Sequence, residues 1–345
     1  MPQLSLFDDP GDEAEAGRHP GRGDRPVVAA EVQDGLGTVA AALPELIRLG
    51  TSSWSFPGWT GLVYAPRAGR PESEQRLARE GLAAYASHPL FRTVSLDRTF
   101  YAPLSAAEFA RYAAQVPEGF RFVVKAPQAI TDPVVRKPGS GVAARDNPSF
   151  LAAATAAATF VMPAVAGLGD RVGPLVFQFP PLGRRLVANP GQTAGRIAAF
   201  LGGLPQVVAG RRPLYAVEVR DPELACGEFA AAIIAAGGVP CLAIHARMPP
   251  VAEQARAYGL DAPDCRLPLV ARWNLHAGRQ YDEAKADYAP FDRLVEEDLP
   301  SRTALAALAG AAAAAGREVF ITINNKAEGS APLSVARLAT AIAGI

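Results

Sequence analysis

Cysteine and surplus charge are both scarce in this sequence, and each shortage excludes a class of protein. The chain has three cysteines in 345 residues, and Cys226, Cys241 and Cys265 form neither a CxxC pair nor an even set. This argues against a disulfide framework and is typical of ordinary thiols in a reducing cytoplasm. Lysine and arginine (34) balance aspartate and glutamate (34). Because no global field then attracts nucleic acid or an anionic membrane, anion binding requires a local cluster of cations.

Signals for secretion, membrane insertion and common catalytic motifs are also missing. The N-terminal run MPQLSLFDDP lacks the basic and apolar segments of a signal peptide, and we find no apolar run long enough to cross a bilayer. We therefore expect a cytoplasmic protein. HxH, HExxH and GxSxG motifs are absent, so no metal site is predicted, although Asp97, Glu218 and His245 could hold a divalent cation if the fold joined them. A cofactor stays unassigned.

Apolar runs that resemble buried strands alternate with alanine-rich helical segments along most of the chain. Without strict polar alternation, such runs are typical of parallel strands covered by helices. Eight runs are found, at 46–53, 93–97, 121–126, 175–179, 215–220, 241–246, 269–274 and 319–325. Helices are expected at 73–86, 105–115, 148–160, 192–201, 223–236, 302–315 and 334–342, with a less clear one at 251–258. Eight repeats predict an α/β protein with a (β/α)8 TIM-type barrel.

The N-terminal part does not share this periodicity. Residues 8–26 are rich in Asp, Glu, Gly, Pro and Arg and are predicted to be a disordered tether, whereas 27–44 fit either a weak helix or more linker. We therefore divide the chain into a flexible tail, 1–44, and a barrel, 45–345. Two loops, 54–72 and 127–147, are longer than a crossover needs, and long loops at the carboxyl ends of barrel strands usually shape a site.

Polar side chains gather at the carboxyl ends of nearly all the predicted strands. Side chains two apart in a strand share a face, and the carboxyl ends of barrel strands form one mouth. Burying so many polar groups is costly unless they bind one another or a ligand. The catalytic candidates are Asp97, Lys125 and Glu218, and the ligand-binding candidates are Trp54, Gln178, Arg220, His245, Arg272, Asn274, Asn324, Asn325 and Lys326. Four cations among them favour an anion such as phosphate.

Several short motifs resemble, in order, those of the YecE-like family, also called domain of unknown function 72. They are Gly50-Thr51-Ser52-Ser53-Trp54 with Trp59 and Tyr64, Thr99-Phe100-Tyr101, Phe122-Val123-Val124-Lys125, Phe177-Gln178-Phe179-Pro180-Pro181, Val217-Glu218-Val219-Arg220, Arg272 with Tyr281, and Asn324-Asn325. The resemblance covers about residues 47–345 and implies a barrel of this type. It implies no settled activity, although a likeness to barrel endonucleases has been suggested for the family. Ser95, Asp97 and Asp132 depart from its pattern, where many relatives have Glu, Asn and His.

The first residues carry a different signal. Gln3, Leu4, Ser5, Leu6 and Phe7 resemble the peptide by which bacterial proteins dock on the β sliding clamp of DNA replication. Leu6 and Phe7 would fill an apolar pocket while Gln3 makes polar contacts, and a polar tether would keep the peptide free to extend. The alternatives are a chance match and a tail that packs on the barrel.

Three functions remain open at this point. The first is an enzyme for a phosphate-bearing substrate, such as nucleic acid, that is recruited to the clamp for repair or replication. The second is a non-catalytic adaptor that is tethered to the clamp. The third is a metabolic barrel enzyme for a small phosphorylated or sugar-like molecule. A wide basic rim around the mouth would favour the first two, and a small closed pocket would favour the third.

Overall fold

The computed structural model describes residues 25–67, 72–136 and 143–344. Its centre is a parallel sheet that closes on itself, which confirms the predicted barrel. The strands are β1 (Ile47–Thr51), β2 (Phe91–Leu96), β3 (Arg121–Lys125), β4 (Val134–Arg136), β5 (Ala143–Asp146), β6 (Val172–Gln178), β7 (Tyr215–Glu218), β8 (Val239–Pro240), β9 (Leu242–Ile244), β10 (Leu269–Trp273) and β11 (Val319–Ile323). β4 and β5 form a separate antiparallel hairpin.

The sheet runs in the order β8-β7-β6-β3-β2-β1-β11-β10-β9. Its two outermost members are halves of one strand, separated in sequence only by Cys241. The first half pairs with β7 through Ala216 and Val239, and the second half pairs with β10 through Ala271 and Leu242. Because one continuous segment is bonded on both sides, nine short strands fill eight barrel positions.

Helices cover the outside of the barrel in the places that the sequence predicts. They are α1 (Leu36–Ala42), α2 (Glu74–Glu80), α3 (Leu82–Ala86), α4 (Ala106–Ala113), α5 (Gln128–Thr131), α6 (Ala153–Ala156), α7 (Met162–Leu168), α8 (Arg184–Val187), α9 (Pro190–Gly202), α10 (Gly227–Ala235), α11 (Val251–Ala257), α12 (Tyr281–Tyr288), α13 (Leu299–Ala314) and α14 (Ala331–Ala343). A π-helical turn, Ala157–Val161, joins α6 to α7. Helices α5, α8 and α12 and the hairpin were not predicted; α5 and the hairpin lie in 127–147, a segment that the sequence suggested was a loop.

Two helical segments outside the strands bear on the predictions for the tail and for the membrane. Residues 25–44, which the sequence placed in the tail as either a weak helix or linker, include α1, whose Val39 is buried against the barrel. The helical stretch Ala153–Arg171 has the length and a mean hydropathy of 1.2 that a membrane span requires, although no such run was expected. Phe160, Val165 and Leu168 are buried in the core from this stretch, as in any helix that covers a barrel.

The inside of the barrel is filled by side chains at alternate strand positions. A small apolar layer consists of Val123, Val176, Ala216, Val239, Cys241, Val270 and Phe320. Two residues further along the strands, the inward positions become polar. In β1 the inward position is Gly50, where a Cβ atom would lie 1.8 Å from the backbone oxygen of Thr93. The apolar layer therefore fills the barrel directly beneath the polar mouth.

Candidate functional site at the barrel mouth

The predicted ring of polar side chains surrounds one cavity of about 210 Å³ at the carboxyl ends of the strands. Its lining consists of Asp97, Phe100, Tyr101, Lys125, Gln178, Arg220, His245, Arg272, Asn274, Leu275, Tyr281 and Asn324. Eight of these twelve were candidates from the sequence, because strand alternation and barrel closure bring their side chains to the same end.

Arg272 is the centre of the charged network. Its guanidinium is buried and donates from Nη1 to Glu218 Oε2 at 2.8 Å, and from Nη2 to both carboxylate oxygens of Asp97 at 3.0 Å. Burial would lower the pKa of Arg272, but Asp97 and Glu218 raise it above its usual value. The side chain therefore remains a cation and links strands on opposite sides of the mouth.

Glu218 lies beneath the cavity with both carboxylate oxygens engaged. Oε1 pairs with Arg220 and accepts from Asn274 Nδ2 at 3.3 Å, while Oε2 accepts from Arg272. Burial would raise the pKa of Glu218, but the charges of Arg220 and Arg272 lower it. Glu218 is therefore suited to holding two guanidinium groups in place, and less suited to accepting a proton.

Asp97 follows β2 and has a side chain about one-third exposed (33%). Its Oδ1 also accepts from Ser95 Oγ at 2.6 Å. Loss of hydration would raise the pKa of Asp97, but Arg272 and Lys125 lower it. Asp97 is thus an anion at neutral pH and a weak base.

Lys125 ends β3 with its amine 3.6 Å from the centre of the Phe100 ring. Burial lowers the pKa of Lys125 to about 8, although Asp97 opposes the change. Among the described residues, no carboxylate lies within ion-pair distance of this amine. The Lys125 amine therefore changes protonation near pH 8.

Lys326 and His245 occupy two other sides of the mouth. Lys326 donates from Nζ to Asn324 Oδ1 at 3.1 Å and lies 4.5 Å from the centre of the Tyr281 ring. Burial, with a contribution from Lys285, lowers the pKa of Lys326 to about 8. Burial and the nearby Arg220 lower the pKa of His245 to about 4, so its imidazole is neutral at pH 7.

Three predicted ligand-binding residues, Trp54, Asn325 and Lys326, do not line the cavity, although Lys326 contacts Asn324 and Tyr281, which do. Trp54 is 7% exposed and donates from Nε1 to the Leu77 carbonyl at 3.0 Å. Asn325 is buried, and its Oδ1 accepts from Trp59 Nε1 at 3.2 Å and from the Ala331 amide at 2.9 Å. The Trp54 indole N–H and Asn325 Oδ1 therefore fasten the long first loop and the last helix to the barrel, while Asn325 Nδ2 is buried without a hydrogen-bond partner.

Four lining residues were not candidates from the sequence. Phe100, Tyr101 and Tyr281 were noticed only for their resemblance to family motifs, and Leu275 follows Asn274 without any polar signal. Tyr101 is 57% exposed and Tyr281 is 40% exposed, so the rim of the mouth presents two aromatic side chains to solvent. Phe100, Tyr101 and Leu275 lie within a few residues of a strand end, and this was the clue to them in the sequence.

Two further predictions from the sequence concern a metal ion and the N-terminal peptide. Within the described part of the chain, no three His, Cys, Asp or Glu side chains form a group that could hold a metal ion. The clamp-like peptide, Gln3 to Phe7, lies outside the described residues.

Comparisons with known proteins agree with the architecture. A DUF72 protein from Enterococcus faecalis V583 is 16% identical, with 86% of this chain and 95% of that chain covered and a TM-score of 0.51. A DUF72 protein from Thermotoga maritima MSB8 is 17% identical, with 85% and 97% covered and a TM-score of 0.53. No curated protein matches. The model of the family described as "protein of unknown function DUF72" matches residues 48–344, and the chain, as its motifs suggested, belongs to that family.

Proposed function

We propose that the barrel mouth binds a ligand with a terminal phosphate group. The observation that carries this proposal is that two cationic donor atoms at the cavity, Arg220 Nη1 and the Lys125 amine, have no acceptor among the described residues. Arg220 is 7% exposed, and its Nη1 is buried with no hydrogen-bond acceptor. The Lys125 amine, on the same cavity, contacts only the face of an aromatic ring. An unpaired buried donor such as Arg220 Nη1 is costly, and an anion in the cavity would accept from both groups.

The charge of the mouth supports the same ligand. Lys125, Arg220, Arg272 and Lys326 supply four positive charges, and Asp97 and Glu218 supply two negative ones, which leaves +2. A phosphate monoester carries about −1.5 to −2 at neutral pH. Its charge would therefore neutralise the cluster, with the Arg220 fork and the lysine amines as donors.

The size of the cavity limits what enters with the phosphate. At about 210 Å³, the cavity is smaller than the roughly 300–1,000 Å³ of sites for drug-sized ligands. A phosphate with one sugar or one base at the rim fits this space better than a duplex does. The exposed ring of Tyr101 would then contact a ring of the ligand by stacking.

The enzymatic part of the proposal depends on which groups at the mouth can release a proton near neutral pH. Asp97 and Glu218 are held as anions by guanidinium groups, whereas the Lys125 amine titrates near pH 8. A water molecule would attack the phosphorus of a phosphate ester while the bond to the leaving oxygen breaks, and Lys125 would donate a proton to that oxygen as Arg220 stabilises the developing charge. The products would be an alcohol and inorganic phosphate, and the proton that the attacking water loses would return to Lys125 through solvent. The protein would then be a hydrolase that acts on phosphate esters.

The partner proposal rests on sequence alone. Gln3, Leu4, Ser5, Leu6 and Phe7 would dock on the β sliding clamp and bring the barrel to sites of DNA repair or replication. If this docking fails, the small cavity favours a metabolic enzyme for a phosphorylated small molecule. The adaptor alternative would keep the docking and lack turnover.

The test measures binding of inorganic phosphate and of thymidine 5′-monophosphate by calorimetry and thermal shift. Both should bind, and unphosphorylated thymidine should not. Arg220→Met should weaken binding about tenfold or more, since a charge-assisted hydrogen bond contributes about 1.5–3 kcal/mol. Arg111→Met, which removes an exposed arginine from α4, is the matched control and should bind normally. Equal binding of thymidine and its monophosphate, or no binding of either phosphate, would overturn the proposal.

A further inference from the structure

A second cavity, of about 420 Å³, lies in the loops next to the mouth. It is lined by Pro133, Val134, Asp146, Asn147, Phe150, Leu182, Gly183, Arg184, Arg185, Leu186 and Arg196. These residues come from the loop after β6 and the short helix α8 that follows it, from the β4–β5 hairpin and the turns beside it, and from helix α9. The segments after β3 and β6 both leave the barrel at the carboxyl ends of neighbouring strands. The second cavity therefore opens on the same face of the barrel as the mouth.

Three arginines dominate the charge of this second cavity. Arg184, Arg185 and Arg196 are exposed, and among the described residues none has an ion-pair partner. The Arg196 guanidinium lies 5.7 Å from the centre of the Phe150 ring, which leaves the edges of the guanidinium free to donate. Asp146 is the one carboxylate in the lining, so three positive charges face one negative charge.

The two cavities are close along the chain. Gln178 lines the mouth and Leu182 lines the second cavity. The four residues from one to the other span at most roughly 14 Å, because an extended chain advances about 3.3–3.6 Å per residue. One strand of nucleic acid carries a phosphate about every 3.4 Å along a duplex axis. The cavities are thus separated by a few nucleotides at most.

We infer that the ligand of the mouth is the phosphorylated end of a single-stranded nucleic acid, whose following phosphates bind Arg184, Arg185 and Arg196. This inference rests on the proposed function and assigns the substrate class. A second anion-binding cavity at this distance suits a chain of phosphodiesters, whereas a small phosphorylated metabolite would leave it unused. A single strand is required, because a cavity of about 210 Å³ admits one nucleotide and not a base pair.

The experiment measures fluorescence anisotropy of the full chain with octathymidylates that carry a phosphate at the 5′ end, at the 3′ end, or at neither end. The test variant replaces Arg184, Arg185 and Arg196 with alanine. The matched control replaces Arg111, Arg256 and Arg337, three exposed arginines on helices α4, α11 and α14, and removes the same charge.

A phosphorylated octathymidylate should bind the parent at least tenfold more tightly than thymidine 5′-monophosphate. The test variant should lose that gain. The slope of its log affinity against log salt concentration should become shallower by about 2, because each single-strand phosphate contact contributes about 0.7 and three contacts are removed. Its affinity for the monophosphate should stay unchanged, while the control variant should keep the gain.

Two outcomes would overturn the inference, and they can be told apart. If the octathymidylate binds no more tightly than the monophosphate, or if the control variant loses as much as the test variant, the second cavity does not bind the strand and the phosphate site of the mouth stands. If neither the strand nor the monophosphate binds, the proposed function fails and the inference fails with it.

Discussion

Replacing Glu218 with glutamine tests whether this residue holds the charged network of the mouth together. Glutamine keeps the shape but removes the charge that faces Arg220 and Arg272, and it turns one accepting oxygen into a donor. Glu218 is fully buried (0% exposed). Removing one partner of a buried ion pair costs about 3–5 kcal/mol. We expect the free energy of unfolding to fall by that amount.

The corresponding change in melting temperature follows from the size of the domain. The barrel spans residues 48–344, and unfolding entropy is about 2.1 cal/mol/K per residue, which gives roughly 0.6 kcal/mol/K. A loss of 3–5 kcal/mol should therefore lower the melting temperature by about 5–8 °C. Differential scanning calorimetry measures this directly. The control is Glu318→Gln, which breaks the Arg48 pair whose carboxylate is 45% exposed and should cost about 1 kcal/mol or less.

The effect of phosphate on the melting temperature of Glu218→Gln tests whether the mouth is an anion site. Without the Glu218 charge, the mouth carries one more uncompensated positive charge, so phosphate should raise the melting temperature of Glu218→Gln more than that of the parent. A loss below about 1 kcal/mol, close to that of an exposed pair, would refute the assigned role of Glu218. An equal or smaller phosphate response would refute the view that the mouth is an anion site whose charge Glu218 offsets.

Three further predictions concern pH, the barrel wall and the tail. Phosphate affinity should fall by up to roughly tenfold between pH 7.5 and 9 as the Lys125 amine, with a pKa of about 8, loses its proton, and calorimetry in Lys125→Met should show a flatter pH profile. Without ligand the sign reverses: unfolded lysine keeps its proton to higher pH, so the contribution of Lys125 to stability should rise with pH above 8. Gly50→Ala should cost at least about 3 kcal/mol by denaturant unfolding, because a Cβ there would lie 1.8 Å from a backbone oxygen of β2, whereas Gly310→Ala, with open space around it, should be neutral or stabilising. A peptide of residues 1–10 should bind the β clamp with micromolar affinity, and Leu6→Ala with Phe7→Ala should abolish clamp binding of the full chain at an unchanged melting temperature. Clamp binding that persists in the double variant would exclude the peptide.

The arrangement of charges at the mouth could not be read from the order of residues. The sequence placed Arg272, Glu218 and Asp97 at one end of the barrel, but which carboxylate pairs with which guanidinium depends on strand register and on closure. Arg272 reaches Asp97 across 175 positions of sequence. Our proposal that Lys125 rather than a carboxylate transfers the proton depends on these pairings, since they determine which groups remain free.

The sequence by itself determined the class of fold and the location of the polar ring. Parallel strands that are buried on both sides must be apolar throughout, and a period of two directs every second side chain inward, so eight runs and their polar ends were visible without coordinates. Tertiary structure alone decided which side chains are used internally. Trp54 and Asn325 are of residue types that often bind ligands, but the Trp54 Nε1 bonds to Leu77 and the Asn325 Oδ1 bonds to Trp59, 266 positions away, and to Ala331. The second cavity, too, exists only because the loops after β3 and β6 leave neighbouring strands and meet on one face.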